Sequence, residues 1–126
     1  MSNVELNKNG VNKLIKANIL PDDKMRQIGF TDFAKNRWYF GRMIKFKEKE
    51  YRGIEISFNV VIPKDGSDIR IDILDDDFCQ PYDYQYFLEN NPPNKVALIV
   101  KEQVEEWMKY LQDNGVLEGH VYGEYI

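Results

Sequence analysis

The feature that most constrains this fold is a two-residue alternation of apolar side chains through the middle of the chain. A period of two is typical of β-strands with one buried face, because successive side chains of a strand point to opposite faces of the sheet. Many of the alternating residues are β-branched or aromatic, which strands favour. They form three runs, which are Trp38, Phe40, Ile44 and Phe46, then Ile54, Ile56, Phe58, Val60 and Ile62, then Ile69, Ile71 and Ile73, with Arg42 as the polar exception.

The connections between the runs indicate how the strands pair. Asp65-Gly66 lies between the second and third runs, and this dipeptide between apolar strands is a strong hairpin signal. A charged stretch, 47–50, separates the first two runs and predicts a solvated connection. We therefore predict an antiparallel three-stranded meander over 36–75. Residues 26–33 are predicted to add a fourth strand, so that the sheet spans about 26–75.

The second face of this sheet is polar and mixed in sign, with Tyr39 on it. Helices must then cover the apolar face, which predicts a two-layer α+β domain. A short N-terminal helix is predicted over about 9–19, where Val11, Leu14 and Ile15 recur at helical spacing. Pro21 is expected to end it, and Pro21-Asp22-Asp23 to form a turn.

A long amphipathic helix is predicted over about 95–113, preceded by Asn94 as its cap and closed by Asn114-Gly115. The alternative makes 95–100 a strand and begins the helix at Lys101. A further edge strand is expected around 120–126. The apolar arc of the helix comprises Val96, Ile99, Val100, Val104, Trp107, Met108 and Leu111, with Leu98 outside the arc and Gln103 as a polar residue inside it.

Length and composition predict one domain over 1–126. The single cysteine and the lack of an export signal predict a cytoplasmic location. The chain has 126 residues, of which 43% are hydrophobic, enough for a core. No apolar run approaches the roughly 18 residues of a membrane span, and the start does not resemble a signal peptide. Cys79 is the single cysteine, which excludes an intramolecular disulfide. The abundance of Lys, Asn and Ile is compatible with an AT-rich bacterial or phage genome.

Motifs for catalysis are missing from the sequence. It has no glycine-rich phosphate loop and no paired cysteines at metal-ligand spacing. His120 is the one histidine, which excludes histidine-clustered zinc sites. We therefore expect no cofactor, no metal and no catalytic residue in the preferred interpretation, and whether the chain is an enzyme stays open.

The strongest candidate for a binding surface is the acidic, tyrosine-rich segment 75–88. Its tyrosines alternate and acids lie between them. Tyrosine offers a large, stiff contact area with a polar tip, and aromatic residues are enriched at protein interfaces. Acidic neighbours would attract a partner with a basic surface. We predict a non-catalytic protein-binding or regulatory module, with the partner-binding residues Asp76, Asp77, Tyr82, Asp83, Tyr84 and Tyr86.

Two other functions stay open. A metal-dependent enzyme acting on nucleotides or phosphates would use Asp72 with Asp75, Asp76 and Asp77, since carboxylates are hard ligands for Mg²⁺. A single-stranded nucleic-acid binder would use the basic residues of the sheet face. The net charge of −4 disfavours nucleic acid, and the alternation turns Trp38 and Phe40 towards the core, away from stacking positions. A homodimer is possible through the open sheet face or an edge strand.

Overall fold

The fold is organised by an antiparallel five-stranded sheet, whose neighbouring strands are, in order, Thr31–Ala34 (β2), Arg37–Met43 (β3), Ile56–Pro63 (β4), Arg70–Asp75 (β5) and Gln80–Pro81 (β6). The computed structural model of the chain describes residues 15–66, 69–76, 80–82, 84–89, 92 and 94–119. Its strands are β1 Lys16–Ala17, β2 Thr31–Ala34, β3 Arg37–Met43, β4 Ile56–Pro63, β5 Arg70–Asp75, β6 Gln80–Pro81 and β7 Leu117–Glu118. Its helices are α1 Asp22–Ile28, α2 Tyr84–Leu88 and α3 Lys95–Asp113, with a short 3₁₀ turn at Lys49–Tyr51.

The predicted meander is confirmed as β3, β4 and β5. Trp38 pairs with Ile62 and Phe40 with Val60, and all of these side chains are buried on one face. Gly66, at φ 82°, occupies the left-handed backbone region in the turn between β4 and β5, as the Asp-Gly signal indicates. The α+β class and the covering of the apolar face by helices follow the prediction.

The N-terminal prediction needs correction. Residues 9–14 of the predicted helix lie outside the described residues, and 15–19 are not helical, since β1 pairs with β7 there. The N-terminal helix is α1 instead. Pro21 stands at its N-cap and Asp22 and Asp23 occupy its first turn, where carboxylates favour the positive end of the helix dipole. The predicted turn at 21–23 is thus a helix start, and the predicted strand at 26–33 begins only at Thr31.

Helix α3 has the predicted bounds, and its apolar arc packs on the sheet. The Asn94 side chain accepts a hydrogen bond of 3.1 Å from the Ala97 backbone N–H, which caps the first turn. Gly115, at φ 79°, follows the helix in the left-handed region. The strand alternative for 95–100 is therefore wrong. The buried residues of the helix are Ala97, Val100, Val104, Met108 and Leu111.

Aromatic rings fill the space between α3 and the sheet. The Phe40 ring lies 5.2 Å from Phe30 and 5.6 Å from Trp107, measured between ring centroids. Arg42, the polar exception in the strand pattern, lies with its guanidinium carbon 4.0 Å from the Phe40 ring centroid and 5.2 Å from that of Trp107. A guanidinium over aromatic faces is attracted by their quadrupoles, so an arginine is accommodated at this apolar position.

A second, two-stranded sheet is formed by β1 and β7, which lie near the two limits of the described residues. Asn18 donates a backbone hydrogen bond of 2.7 Å to Val116. The predicted edge strand at 120–126 lies outside the described residues. None of the helices in the described ranges has the length and apolarity that a membrane crossing requires.

Candidate functional site

The predicted partner-binding residues lie on the segment that leads from β5 through β6 into α2. Asp76 follows β5 directly and is exposed, Tyr82 is half-buried, and Tyr86 has 58% of its surface exposed. Asp77 and Asp83 lie outside the described residues. The segment is anchored to the sheet because the Tyr82 backbone N–H donates a hydrogen bond of 2.8 Å to the Ile73 carbonyl.

Tyr84 is a core residue and not part of a contact surface. Its side chain is completely buried, which corrects the prediction that all three tyrosines face a partner. The reason is that the segment is helical from Tyr84 onwards, so residues two positions apart no longer share a face. The alternation of Tyr82, Tyr84 and Tyr86 resembles a strand, but α2 begins at Tyr84. At about 100° per residue, side chains two positions apart in a helix diverge by about 200°, so Tyr84 points inwards and Tyr86 outwards.

Phe87 joins Tyr82 and Tyr86 into one aromatic cluster. The rings of Tyr82 and Phe87 stack at 5.3 Å with an interplanar angle of 15°. The Tyr86 ring meets Phe87 edge-on at 5.2 Å and 83°. Such arrangements are favourable beyond the area that they bury, so the tyrosines are held by their neighbours. Sequence reasoning missed Phe87, although it lies within the segment.

One carboxylate, that of Asp75, lies near this cluster. Burial raises the pKa of the Tyr82 phenol to about 12, and the negative charge of Asp75 contributes to the increase. The Asp76 carboxylate accepts a hydrogen bond of 3.3 Å from the Ser57 hydroxyl, while its backbone N–H donates to Glu55 at 2.8 Å. Asp75 therefore lies close enough to Tyr82 to influence its phenol, and Asp76 is fixed to Ser57 and Glu55 at the end of β5.

Asp76 also terminates a chain of hydrogen bonds across the polar face of the sheet. The Tyr39 hydroxyl donates to Asn59 Oδ1 at 2.6 Å, and Asn59 Nδ2 donates to the Ser57 hydroxyl at 2.9 Å. Burial raises the pKa of the Tyr39 phenol, and the nearby Asp76 raises it further. Ser57 and Asn59 are each only 7% exposed, so this face is less open than the sequence pattern suggests.

Asp72 lies beside this chain, directly opposite Asn59 in the neighbouring strand. Burial raises the pKa of the Asp72 carboxyl, and an ion pair of 3.1 Å with Arg70 opposes the increase. In the part of the chain that the structure describes, His, Cys, Asp and Glu form no group of three or more that could hold a metal ion. Cys79 and His120 lie outside that part.

The sheet face was also the candidate for nucleic-acid binding. As predicted, Trp38 and Phe40 are buried in the core. Tyr39 faces the other side, but its ring lies over Gly41 and its hydroxyl is bonded to Asn59. A base-stacking platform needs aromatic faces open to solvent. Tyr39 therefore takes part in the hydrogen-bond network of the sheet and does not present an open ring face to a base.

Comparison with known proteins shows the fold. No family model matches the chain, and no curated protein matches its sequence. Among solved structures, it is similar to the crystal structure of a DUF1831 family protein from Lactobacillus plantarum. The TM-score is 0.62 at 12% sequence identity, and the match covers 91% of this chain and 92% of that one. The two chains share the α+β architecture through almost their whole length.

Proposed function

We propose that this chain is a non-catalytic protein-binding or regulatory module whose partner meets the acidic aromatic surface formed by Asp76, Tyr82, Tyr86 and Phe87. The observation that carries the proposal is Tyr86, which has 58% of its surface exposed although its ring rests on a stack of two other rings. A large aromatic side chain that is already held in position loses little conformational entropy on binding.

Charge specifies the kind of partner. Asp75 lies near the Tyr82 ring and the exposed Asp76 follows it in the chain. A partner with Arg or Lys would gain both ionic attraction and cation–π contact with the tyrosine faces. Asp77 and Asp83 stay in the predicted binding set on the strength of the sequence. The predicted compartment remains the cytoplasm.

The proposal is tested by comparative affinity capture from lysate of the native host, with and without nuclease. The bait proteins are the wild-type chain, the double variant Asp76→Lys/Tyr86→Ala, and the control Leu98→Ala, which removes an exposed apolar side chain from α3. We expect a protein that is retained by the wild type and by the control after nuclease treatment, and that the double variant loses. Thermal melting of all three baits establishes that they are folded.

Two results contradict the proposal. One is a captured protein that the double variant retains as well as the wild type does. The other is capture that disappears with nuclease, which would point to a nucleic-acid ligand.

A further inference from the structure

Among the residues that the structure describes, one edge of β3 has no neighbouring strand over its second half. In β2, Thr31 pairs with Tyr39 and Ala34 with Arg37, and the register goes no further. On the other side, β4 pairs with β3 along its whole length. In the described ranges, Gly41 to Met43 therefore have a strand partner on one side only, and Ile44 still bonds to Ile56 beyond the end of β3.

The hydrogen-bond phase shows which backbone groups face this edge. The Ile44 N–H donates to the Ile56 carbonyl at 2.8 Å, so the backbone N–H and carbonyl of Ile44 face β4. Because backbone groups alternate along an antiparallel strand, those of Gly41, Met43 and Lys45 face away from β4. A row of such groups is a template for another strand.

Two side chains occupy part of this row. The Gln103 carboxamide of α3 accepts from the Lys45 N–H at 2.8 Å and donates to the Lys45 carbonyl at 2.6 Å. An amide that both donates to and accepts from one residue reproduces the bonding of a neighbouring strand. The Arg42 guanidinium donates to the Gly41 carbonyl at 2.7 Å. The two hydrogen bonds between Gln103 and Lys45 explain why a glutamine lies inside the apolar arc of α3.

Met43 lies between these two caps and is the open position. The phase of the ladder between β3 and β4 directs its backbone N–H and carbonyl away from β4, towards the side that no described strand covers. Its side chain is 49% exposed. A groove of about 380 Å³ runs beside it, and its apolar surface includes Ile99 and Trp107.

The walls of this groove carry opposite charges. Lys45 and Lys47 line the strand side, together with Glu48, and the two lysines lie two residues apart, which is about 6.6 Å in an extended chain. Glu102 and Glu106 line the helix side and lie four residues apart, which is about 6 Å along a helix. An added strand would direct alternate side chains to the two walls at nearly the same spacing.

We propose that the edge of β3 at Met43 is a second binding site, which takes an extended peptide segment of a partner protein by strand addition. The peptide has acidic side chains at alternate positions, facing Lys45 and Lys47. The intervening and flanking positions point to the helix side, and they carry an apolar residue that enters the groove and a basic residue that meets Glu102 or Glu106. Backbone hydrogen bonds to Met43 provide affinity and the charge alternation sets the register, as in other edge-strand recognition. This surface is separate from the acidic aromatic surface.

The probe is a phage-displayed library of random ten-residue peptides, selected on the full-length chain. We expect enrichment of sequences in which acidic residues alternate with apolar and basic ones. The best peptide is then synthesised, and its affinity is measured by fluorescence anisotropy for the wild type and for Met43→Pro. Proline removes the backbone donor, and edge strands tolerate it. Met43→Ala is the matched control, because it shortens the side chain and keeps the N–H.

Loss of the backbone donor should weaken binding about tenfold in Met43→Pro relative to Met43→Ala. An independent measurement leaves the protein unchanged. Each backbone nitrogen of the peptide is methylated in turn, and strand addition predicts that weakened binding recurs at every second position. A scan without this alternation overturns the proposal, and so does a failure to enrich any peptide.

Two further results assign the binding elsewhere and also overturn the proposal. Peptide binding that is lost in Tyr86→Ala and unchanged in Met43→Pro belongs to the acidic aromatic surface. A dimer of the chain that forms in sedimentation experiments and disappears in Met43→Pro assigns the edge to a second copy.

Discussion

The two faces of the central sheet both contain buried side chains, yet different forces hold these side chains. On the helix-covered face, Phe40, Phe58 and Val60 are completely buried among other apolar residues. On the other face, Asn59 is nearly as buried, but its amide takes part in a chain of directional hydrogen bonds. Apolar packing depends on area and volume, whereas a buried polar chain depends on each of its members. Substitutions on the two faces should therefore lower the free energy of unfolding for different reasons.

The largest effect is expected for Phe58→Ala on the apolar face. Phe58 is completely buried in the central strand, and truncation leaves a cavity between the sheet and α3. We expect a loss of about 3–5 kcal/mol in the free energy of unfolding. Urea denaturation measures it, with Met43→Ala as the exposed control on the same sheet, expected within about 0.5 kcal/mol of wild type. A loss no greater than that of the control would contradict the buried position of Phe58.

Asn59→Ala tests the polar face and should cost about 1–3 kcal/mol. The substitution removes the acceptor of the Tyr39 hydroxyl and the donor to Ser57 while deleting little apolar surface. A double-mutant cycle with Tyr39→Phe, followed by urea denaturation, measures the coupling. We expect the double variant to lose less stability than the two single variants together, because both break the same bond. Additive losses would show that the chain of hydrogen bonds is not cooperative.

Gly41→Ala should destabilise by about 1 kcal/mol, because Tyr39 crosses over this residue to reach Asn59. A Cβ atom at Gly41 would clash with the Tyr39 hydroxyl and ring, which must move away and lose that hydrogen bond. The control is the same change in a Tyr39→Ala background. There the clash is gone, and the lower backbone entropy of alanine in the unfolded chain should make the change neutral or stabilising. Equal losses in both backgrounds, measured by thermal melting, would contradict this explanation.

The smallest effect is expected for Asp72→Asn, and it should depend on pH. Burial raises the pKa of Asp72 above 3.8 in the folded chain, so ionisation favours the unfolded state. The wild type should therefore lose stability relative to Asp72→Asn as the pH rises from below 3.8 through the folded pKa. Urea denaturation at pH 3 and pH 7 measures this difference. If Asp72→Asn instead loses stability relative to the wild type between pH 3 and pH 7, the ion pair with Arg70 outweighs the effect of burial on the Asp72 carboxyl.

Much of the fold was predictable because its signals are local and periodic. The meander over 36–75 and the helix over 95–113 both follow from spacing alone, and both have the predicted positions. The N-terminal region was not predictable in this way, because β1 is a strand through its pairing with β7 about a hundred residues later. Long-range pairing overrides weak local periodicity.

The candidate site was predictable only as a segment. The sequence indicated the acidic, aromatic composition between β5 and α3. It did not indicate that α2 starts at Tyr84, and this single boundary decides which tyrosine faces the core. Short helices have boundaries set by packing, so a boundary error of one or two residues reverses the direction of a side chain.

The sequence by itself determined that the chain has an amphipathic sheet and one long amphipathic helix, since the periods of apolar residues are properties of neighbouring positions. Only the tertiary structure decided how the polar residues are used. Gln103 caps the edge of β3 at Lys45, 58 residues away, and Tyr39 bonds to Asn59 across the sheet. Such contacts depend on the distance between elements after folding, because a hydrogen bond forms only when its two atoms meet at about 3 Å.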